Sequence, residues 1–135
     1  MRIMLDTNVI FSAIVYRSLF MAKVVEHIKK NHTIVLCERI LYEMEQIVIK
    51  KFPNKLNDYY VDVEFLTDEL FTNFQFDARM YPPIKDHKDL PILVAAIESQ
   101  VDLLITGDTD FDEIQLDKPL ILKPRQYYDK YMIGS

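Results

Sequence analysis

Two stretches, Arg2-Ile-Met-Leu-Asp-Thr-Asn8 and Leu103-Leu-Ile-Thr-Gly-Asp-Thr-Asp110, decide the fold between them. Each is a short unbroken apolar run that ends abruptly in acidic and hydroxylic residues. A strand with one wet face alternates polar and apolar positions, whereas a continuous apolar run reads as a strand buried on both faces. Asp, Thr, Asn and Gly at the ends of such runs are turn and cap formers, so each strand is expected to stop there.

Working outward, helices are expected over 9–16 and 18–30, a second strand over 33–36, and a helix over 38–51 that Pro53 stops. A further helix is expected over 57–73, with Leu56, Tyr60, Val63 and Leu70 among its apolar positions. Pro82-Pro83 marks a loop, Asp86 to Asp89 leads into a helix over 90–100, and 120–122 and 125–131 form the last strand and a closing helix. Alternating strands and helices with short apolar strands indicate an α/β fold, a parallel sheet sandwiched by helices. The chain of 135 residues is of ordinary size for one domain, spanning 1–135, and no internal repeat or linker divides it.

Half of the residues are hydrophobic, which supplies a core without disulfides or a structural metal. Cys37 is the single cysteine, so no intrachain disulfide and no zinc knuckle can form. No apolar run approaches a membrane span and Met1 to Leu5 is too short for a signal peptide, so the expectation is a soluble cytoplasmic protein without membrane contact. The net charge of −5 argues, taken alone, against a nucleic-acid partner, since such proteins normally neutralise phosphates with basic residues. Two bound divalent ions carry four positive charges and would take −5 to −1, so the acidity could itself belong to a metal site.

In open parallel sheets, ligands bind beyond the carboxyl ends of the strands, near the point where strand order reverses. Asp6 and Asp108 stand at such ends, distant in sequence but on one edge of the sheet. Asp110 follows in the same loop, Asp89 stands at the mouth of the helix over 90–100, and Glu43 lies on the helix after the second strand. Five carboxylates converging on one edge would repel one another unless cations lay between them. All-oxygen donors of this kind suit Mg²⁺ or Mn²⁺, not zinc. Each acid also has a plainer reading. Asp6 and Asp108 could cap the next element, Asp89 with Pro91 soon after is a helix start signal, and Asp86 and His87 read as solvated loop residues. Glu43 and Glu45 flank the apolar stripe Ile40, Leu41, Met44, Ile47 and Val48 on either side, and periodicity does not choose between them. Thr7, Asn8 and Thr106 could hydrogen-bond the carboxylates or shape the turns that carry them. Gly107 lets the backbone pass close to the site.

At these residues the chain resembles the PIN domain family. The matching segments are Ile3-Met-Leu-Asp-Thr-Asn-Val-Ile10, Ile40-Leu-Tyr-Glu-Met-Glu45, Asp86-His-Lys-Asp-Leu-Pro-Ile-Leu-Val-Ala-Ala96 and Leu103-Leu-Ile-Thr-Gly-Asp-Thr-Asp-Phe111, with Ile121-Leu-Lys-Pro124 as the final strand and turn. The resemblance implies that Asp6, Glu43, Asp89 and Asp108 form the catalytic acidic quartet, with Asp110 as an additional metal ligand. It also favours Glu43 over Glu45. Two aspartates, Asp86 and Asp89, precede the helix over 90–100, which opens with Leu-Pro; Asp89 is the favoured ligand of the two. The implied activity is hydrolysis of RNA phosphodiester bonds assisted by one or two Mg²⁺ or Mn²⁺ ions, leaving 5′-phosphate and 3′-hydroxyl ends. The spacing is similar to toxin components of bacterial and archaeal toxin–antitoxin pairs, which implies a homodimer and a cognate antitoxin protein as partner.

None of the three histidines is required as a base, and His27 and His32 are expected at the surface. Basic rims for RNA could be drawn from Lys23, Lys29, Lys30, Arg39, Lys50, Lys51 and Lys55, with Arg17 as the single best candidate for an RNA contact. For each of these charges taken singly, an ordinary solvated helix face is the favoured account. Tyr59, Phe65 and Phe74 read as core or dimer surface rather than as platforms for bases. Two other functions compete. A phosphorylation receiver domain shares the sheet type and a Lys-Pro near the last strand, here Lys123-Pro124, but residues 50–60 offer no apolar strand ending in the phosphoacceptor aspartate. A non-catalytic scaffold on the same fold would be expected to have lost acids, and this chain keeps all of them.

Overall fold

A computed structural model describes residues 1–72 and 75–133 of the chain. The expectations for Asn73 and Phe74 therefore lie outside the described residues. Five strands form a parallel sheet: β1 (Arg2–Leu5), β2 (Thr33–Cys37), β3 (Glu69–Phe71), β4 (Leu103–Ile105) and β5 (Leu120–Leu122), in the order β3-β2-β1-β4-β5. Between them run α1 (Thr7–Ile10), α2 (Leu19–Asn31), α3 (Glu38–Lys51), α4 (Leu56–Leu66) and α5 (Leu90–Glu98), and α6 (Pro124–Tyr127) follows β5.

Ile3, Met4 and Leu5 are at most 1% exposed. Successive strand residues point to opposite faces, so β1 is covered on both, as the apolar run requires. The chain moves outward from β1 through β2 to β3, then returns to place β4 on the other side of β1. Strand order thus reverses between β1 and β4, whose register pairs Ile3 with Leu103 and Leu5 with Ile105. Both strands end level with one another, and the turns that follow them are neighbours.

The helices take their faces from sequence. α2 buries Val24, Val25 and Ile28, and α3 buries Ile40, Met44 and Val48, as a 3.6-residue period demands. α5 is buried from Leu90 through Ala96 and is apolar all round, the pattern of a helix packed in the interior. Among the described residues no single helix is long and apolar enough to cross a membrane.

Three expectations are corrected. The helix expected over 57–73 ends at Leu66, where Thr67 turns extended and its hydroxyl donates to the Val63 carbonyl. β3 follows at once, as a fifth strand beside β2. The helix also buries Tyr59 and Leu66, while Tyr60 and Leu70 are 43% and 51% exposed. The helix expected over 9–16 is α1 continued by a π-helical turn, Phe11–Val15, closed by the Tyr16 amide donating to the Phe11 carbonyl at 2.9 Å. Lastly, His27 and His32 are half-buried rather than solvated. The His27 Nδ1 lies 2.7 Å from the Tyr127 hydroxyl, and both imidazoles pack against the Tyr127 ring.

Candidate active site

Asp6 caps the element that follows β1, its Oδ1 accepting from the Thr7 amide at 2.7 Å. The capping and functional readings coexist, because its second oxygen faces across the strand-order reversal. There Oδ2 accepts from the Thr106 hydroxyl at 2.7 Å, and the Thr106 oxygen in turn accepts from the Asp108 amide at 3.1 Å. Asp6 is 6% exposed and Thr106 1%. The Asp6 amide donates to the Ile105 carbonyl at 3.0 Å, tying the two strand ends together. Burial pushes the Asp6 carboxyl above its ordinary pKa; the Thr106 and Thr7 bonds oppose that rise, and the charge of Asp108 adds to it.

Asn8 and Gly107 form a second tie. The Gly107 amide approaches Asn8 Oδ1 at 3.4 Å, and a Cβ on Gly107 would meet the Asn8 amide group at 3.7 Å, ordinary contact. The close approach is real, but nothing here forbids a small side chain. Beyond it, Asp108 Oδ1 accepts from the Asp110 amide at 2.9 Å and so caps the 3₁₀ turn Thr109–Phe111.

Asp89 behaves differently. Its side chain makes no capping bond to α5, so the helix-start reading does not account for it. Oδ2 is buried without a donor. Its neighbours are Asp108 and Asp110, which as carboxylates are acceptors themselves, so a hydrogen bond between Asp89 and either of them requires a shared proton. Burial first, then the Asp108 charge, the contacts with Asp110 and Asp108, and the more distant charge of Asp6 raise its pKa to about 7. Asp86, Asp89 and Asp110 can bring one carboxylate oxygen each within 4.8 Å of one another. Asp86 and Asp89, read from sequence as alternatives, thus stand together.

A cleft of ~400 Å³ is lined by Asp6, Asn8, Glu43, Asp89 and Asp108 among others, while Asp86 and Asp110 meet Asp89 outside that lining. α3 delivers Glu43 to this cleft, while Glu45 hydrogen-bonds Tyr60 of α4. Arg39 reaches Glu43 one helical turn away at 3.7 Å, with both side chains half exposed. The donor set is entirely oxygen, crowded, and includes a buried oxygen that lacks a partner. Such a set fits a hard divalent cation such as Mg²⁺ or Mn²⁺ and not a zinc site built on Cys and His.

The family model that describes the PIN domain matches residues 2–110. This chain belongs to the PIN domain family. Its fold is similar to a chain in the crystal structure of VapBC2 from Rickettsia felis bound to a DNA fragment from their promoter, with a TM-score of 0.63 and 25% identity over 90% of this chain and 97% of that one. No curated protein matches it.

Within this PIN domain the cations fall in unexpected places. Arg17 lines a separate, largely apolar groove of ~440 Å³ together with Ala13, Val25 and Phe65, and its guanidinium lies 3.9 Å from Asp58. Lys29 is paired with Asp68, Lys30 with Glu26, and the Lys55 ammonium donates to the Val15 carbonyl. The cation that lines the acidic cleft is Lys88, which sequence reasoning passed over. Phe11, Ser12 and Tyr16 line it as well. They stand three, four and eight residues after Asn8, one face of a helix, a spacing visible in the sequence that reads as a core stripe until the cleft is seen.

Proposed function

We propose that this PIN domain is a metal-dependent endoribonuclease and the toxin of a toxin–antitoxin pair. The observation that carries the nuclease reading is the buried Asp89 oxygen, held without a donor against Asp108 and Asp110 beside Asp6. An enzyme that keeps such repulsion in its fold has a use for the positive charge that relieves it. Asp6, Glu43, Asp89 and Asp108, with Asp110, would hold one or two Mg²⁺ or Mn²⁺ ions. Such ions, when bound, screen the phosphate and acidify an attacking water.

The chain's own groups supply the rest. Thr106 fixes the orientation of Asp6 through its hydroxyl, and Asn8 pins the turn that carries Asp108. Glu43 pairs with Arg39 through a half-exposed contact, which leaves it free to swing to meet a ligand or take the proton of the attacking water. Phe11, Ile40 and Ile92 give the cleft an apolar wall, which lowers the local dielectric around the charges. Support for an antitoxin partner comes from the likeness to VapBC2. Exposed Leu19, Val61 and Phe65 leave apolar surface for that partner and for a second copy of the chain.

The test is cleavage of a single-stranded RNA by the purified protein with Mn²⁺ or Mg²⁺, with single-stranded DNA run in parallel. Products should carry 5′-phosphate and 3′-hydroxyl ends, and chelator should abolish cleavage. Asp6→Asn should slow it by roughly a hundredfold or more, because loss of an outer-shell partner alone can cost about that. Undiminished cleavage in chelator, or full metal-dependent activity in Asp6→Asn, overturns the reading. Absence of Mn²⁺ binding at millimolar metal by calorimetry would favour a scaffold.

A further inference from the structure

Tyr16 is 63% exposed, yet it lines the acidic cleft rather than an outer face. The chain holds the residue firmly all the same. Its amide closes the π-helical turn on Phe11, the following residue, Arg17, takes a left-handed backbone with φ of 56°, and the Ser18 amide returns to the Ser12 carbonyl at 2.8 Å. Main chain is therefore pinned on both sides of the ring. The ring itself meets Phe52 edge-on, with centroids 5.7 Å apart at 87°, and Phe11 at 6.2 Å. A left-handed non-glycine residue and a π turn are both uncommon, and both tend to mark functional positions. With so much of the side chain exposed, the ring cannot be covered on both faces.

Other tyrosines of the chain are used differently. Tyr59 is 3% exposed and donates its hydroxyl to the Leu41 carbonyl, and Tyr127 is fully buried against His27. Tyr42 is as exposed as Tyr16 but does not line the cleft. Tyr16 thus combines an open aromatic face, a rigid mount and a place beside the carboxylates.

We propose that Tyr16 is the base-stacking platform of this cleft, taking a nucleobase next to the phosphodiester held over Asp6 and Asp108. The proposal rests on the nuclease reading for the identity of the polymer. An aromatic face stacks every base and so gives affinity without sequence readout, which suits a cleft whose charged groups are mostly carboxylates that repel phosphate unless cations lie between them. Because the ring is already fixed, little conformational freedom is lost on binding.

The chain contains no tryptophan, so Tyr16→Trp places one fluorophore at the platform. Binding is followed in the Asp6→Asn background with Mn²⁺, using a short labelled oligoribonucleotide whose anisotropy reports saturation. Emission of Tyr16→Trp should be quenched as the oligonucleotide saturates, while Tyr42→Trp in the same background should not change. Tyr16→Phe should bind like the parent. Tyr16→Ala and Tyr16→Leu should bind about 5- to 100-fold more weakly, the loss expected for one stacked base. The leucine variant keeps an apolar side chain without a π face, so parental affinity there overturns stacking. Unchanged emission at saturation, or no oligonucleotide binding by any variant, overturns it too, and the exposed ring would then belong to a protein partner. Cleavage by the wild type without quenching sinks the platform alone; quenching without cleavage by the wild type sinks the nuclease reading alone.

Discussion

At the amino-terminal ends of the strands, Asp68 accepts the Ile34 amide at 2.9 Å and the Lys29 ammonium at 2.7 Å, and Asp102 accepts the Arg2 amide at 2.8 Å with Lys118 nearby. Glu69 forms a two-point pair with the Arg2 guanidinium. At the carboxyl-terminal ends, Asp6, Asp89 and Asp108 line one cleft with Asp110 beside Asp89, and among the described residues Lys88 is the cation in that lining. Backbone and guanidinium bonds hold Asp102 and Glu69 below their ordinary pKa. For Asp68, burial pulls upward, but the Ile34 amide and Lys29 outweigh it. Asp6 and Asp89 are pushed the other way. One edge of the sheet spends its acids on stability, and the other keeps them in mutual repulsion. The same residue type, at opposite ends of the same strands, marks structure in one place and, in the proposed reading, the metal site in the other.

The contrast can be broken most severely at Asp68. Asp68→Ala strips the Ile34 amide and Lys29 of their shared acceptor and should destabilise the fold by about 2–3 kcal/mol, read from the urea midpoint. Asp89→Asn, at the other edge, should stabilise the metal-free protein at pH 8. If both substitutions destabilise alike, the two edges do not differ as described.

A pH series sharpens the contrast further. A carboxyl that keeps its proton in the fold up to about pH 7, but loses it near 3.8 when unfolded, makes folding take up a proton between those values. The metal-free protein should therefore lose stability as pH rises from about 4 to about 7 and level off above. The paired acids Asp68, Glu69 and Asp102 have the opposite sign: their contribution is present above the unfolded pKa and is lost as pH falls below it. In chelator the urea midpoint should fall toward neutral pH, Asp89→Asn should flatten that slope, and Mn²⁺ should restore the wild type at pH 8. A midpoint independent of pH in the wild type would count against the crowded edge.

The smallest effect concerns backbone rather than charge. Gln100 takes a φ of 56° at the turn into β4, next to the paired edge. Gln100→Gly removes the left-handed penalty and should raise stability by at most about 1 kcal/mol, partly offset by glycine's greater chain entropy. A loss of stability would show that the Gln100 side chain matters in its own right.

Much of this was legible in the chain. β1, β2 and β4 announce themselves because interior parallel strands must be apolar at consecutive positions, and the edge strand β5 is legible only as the short apolar run Leu120-Ile-Leu122, of which Leu120 is exposed. β3 does not: it is a three-residue edge strand with Glu69 and Leu70 exposed, and its apolar residues also fit the period of the helix before it. Asp6 and Asp108 were readable because strand ends at a reversal of strand order converge by topology alone. Glu43 was not readable from periodicity, since α3 presents Glu43 and Glu45 on either side of its apolar stripe; the family resemblance favoured Glu43, and the packing of α3 puts Glu43 in the lining of the cleft. Asp89 looked like a cap because sequence shows position but not whether a carboxylate turns toward an amide. Tyr16 was hidden for a similar reason: a π turn has no strong sequence signal, and it redirects the residue that ends it.

The order of the strands has a consequence for synthesis. β1 leaves the ribosome first and carries Asp6, but Thr106 and Asp108 arrive only with the turn after β4. Until then the Asp6 oxygen that faces Thr106 has no partner, and the cleft lacks one of its walls. A nascent or prematurely released chain would hold most of the helices and three of the five strands, yet no assembled carboxylate cluster. Under the proposed ribonuclease reading, the gap between residues 6 and 108 acts as a timer: the carboxylate cluster is assembled only after the turn that follows β4 has been made.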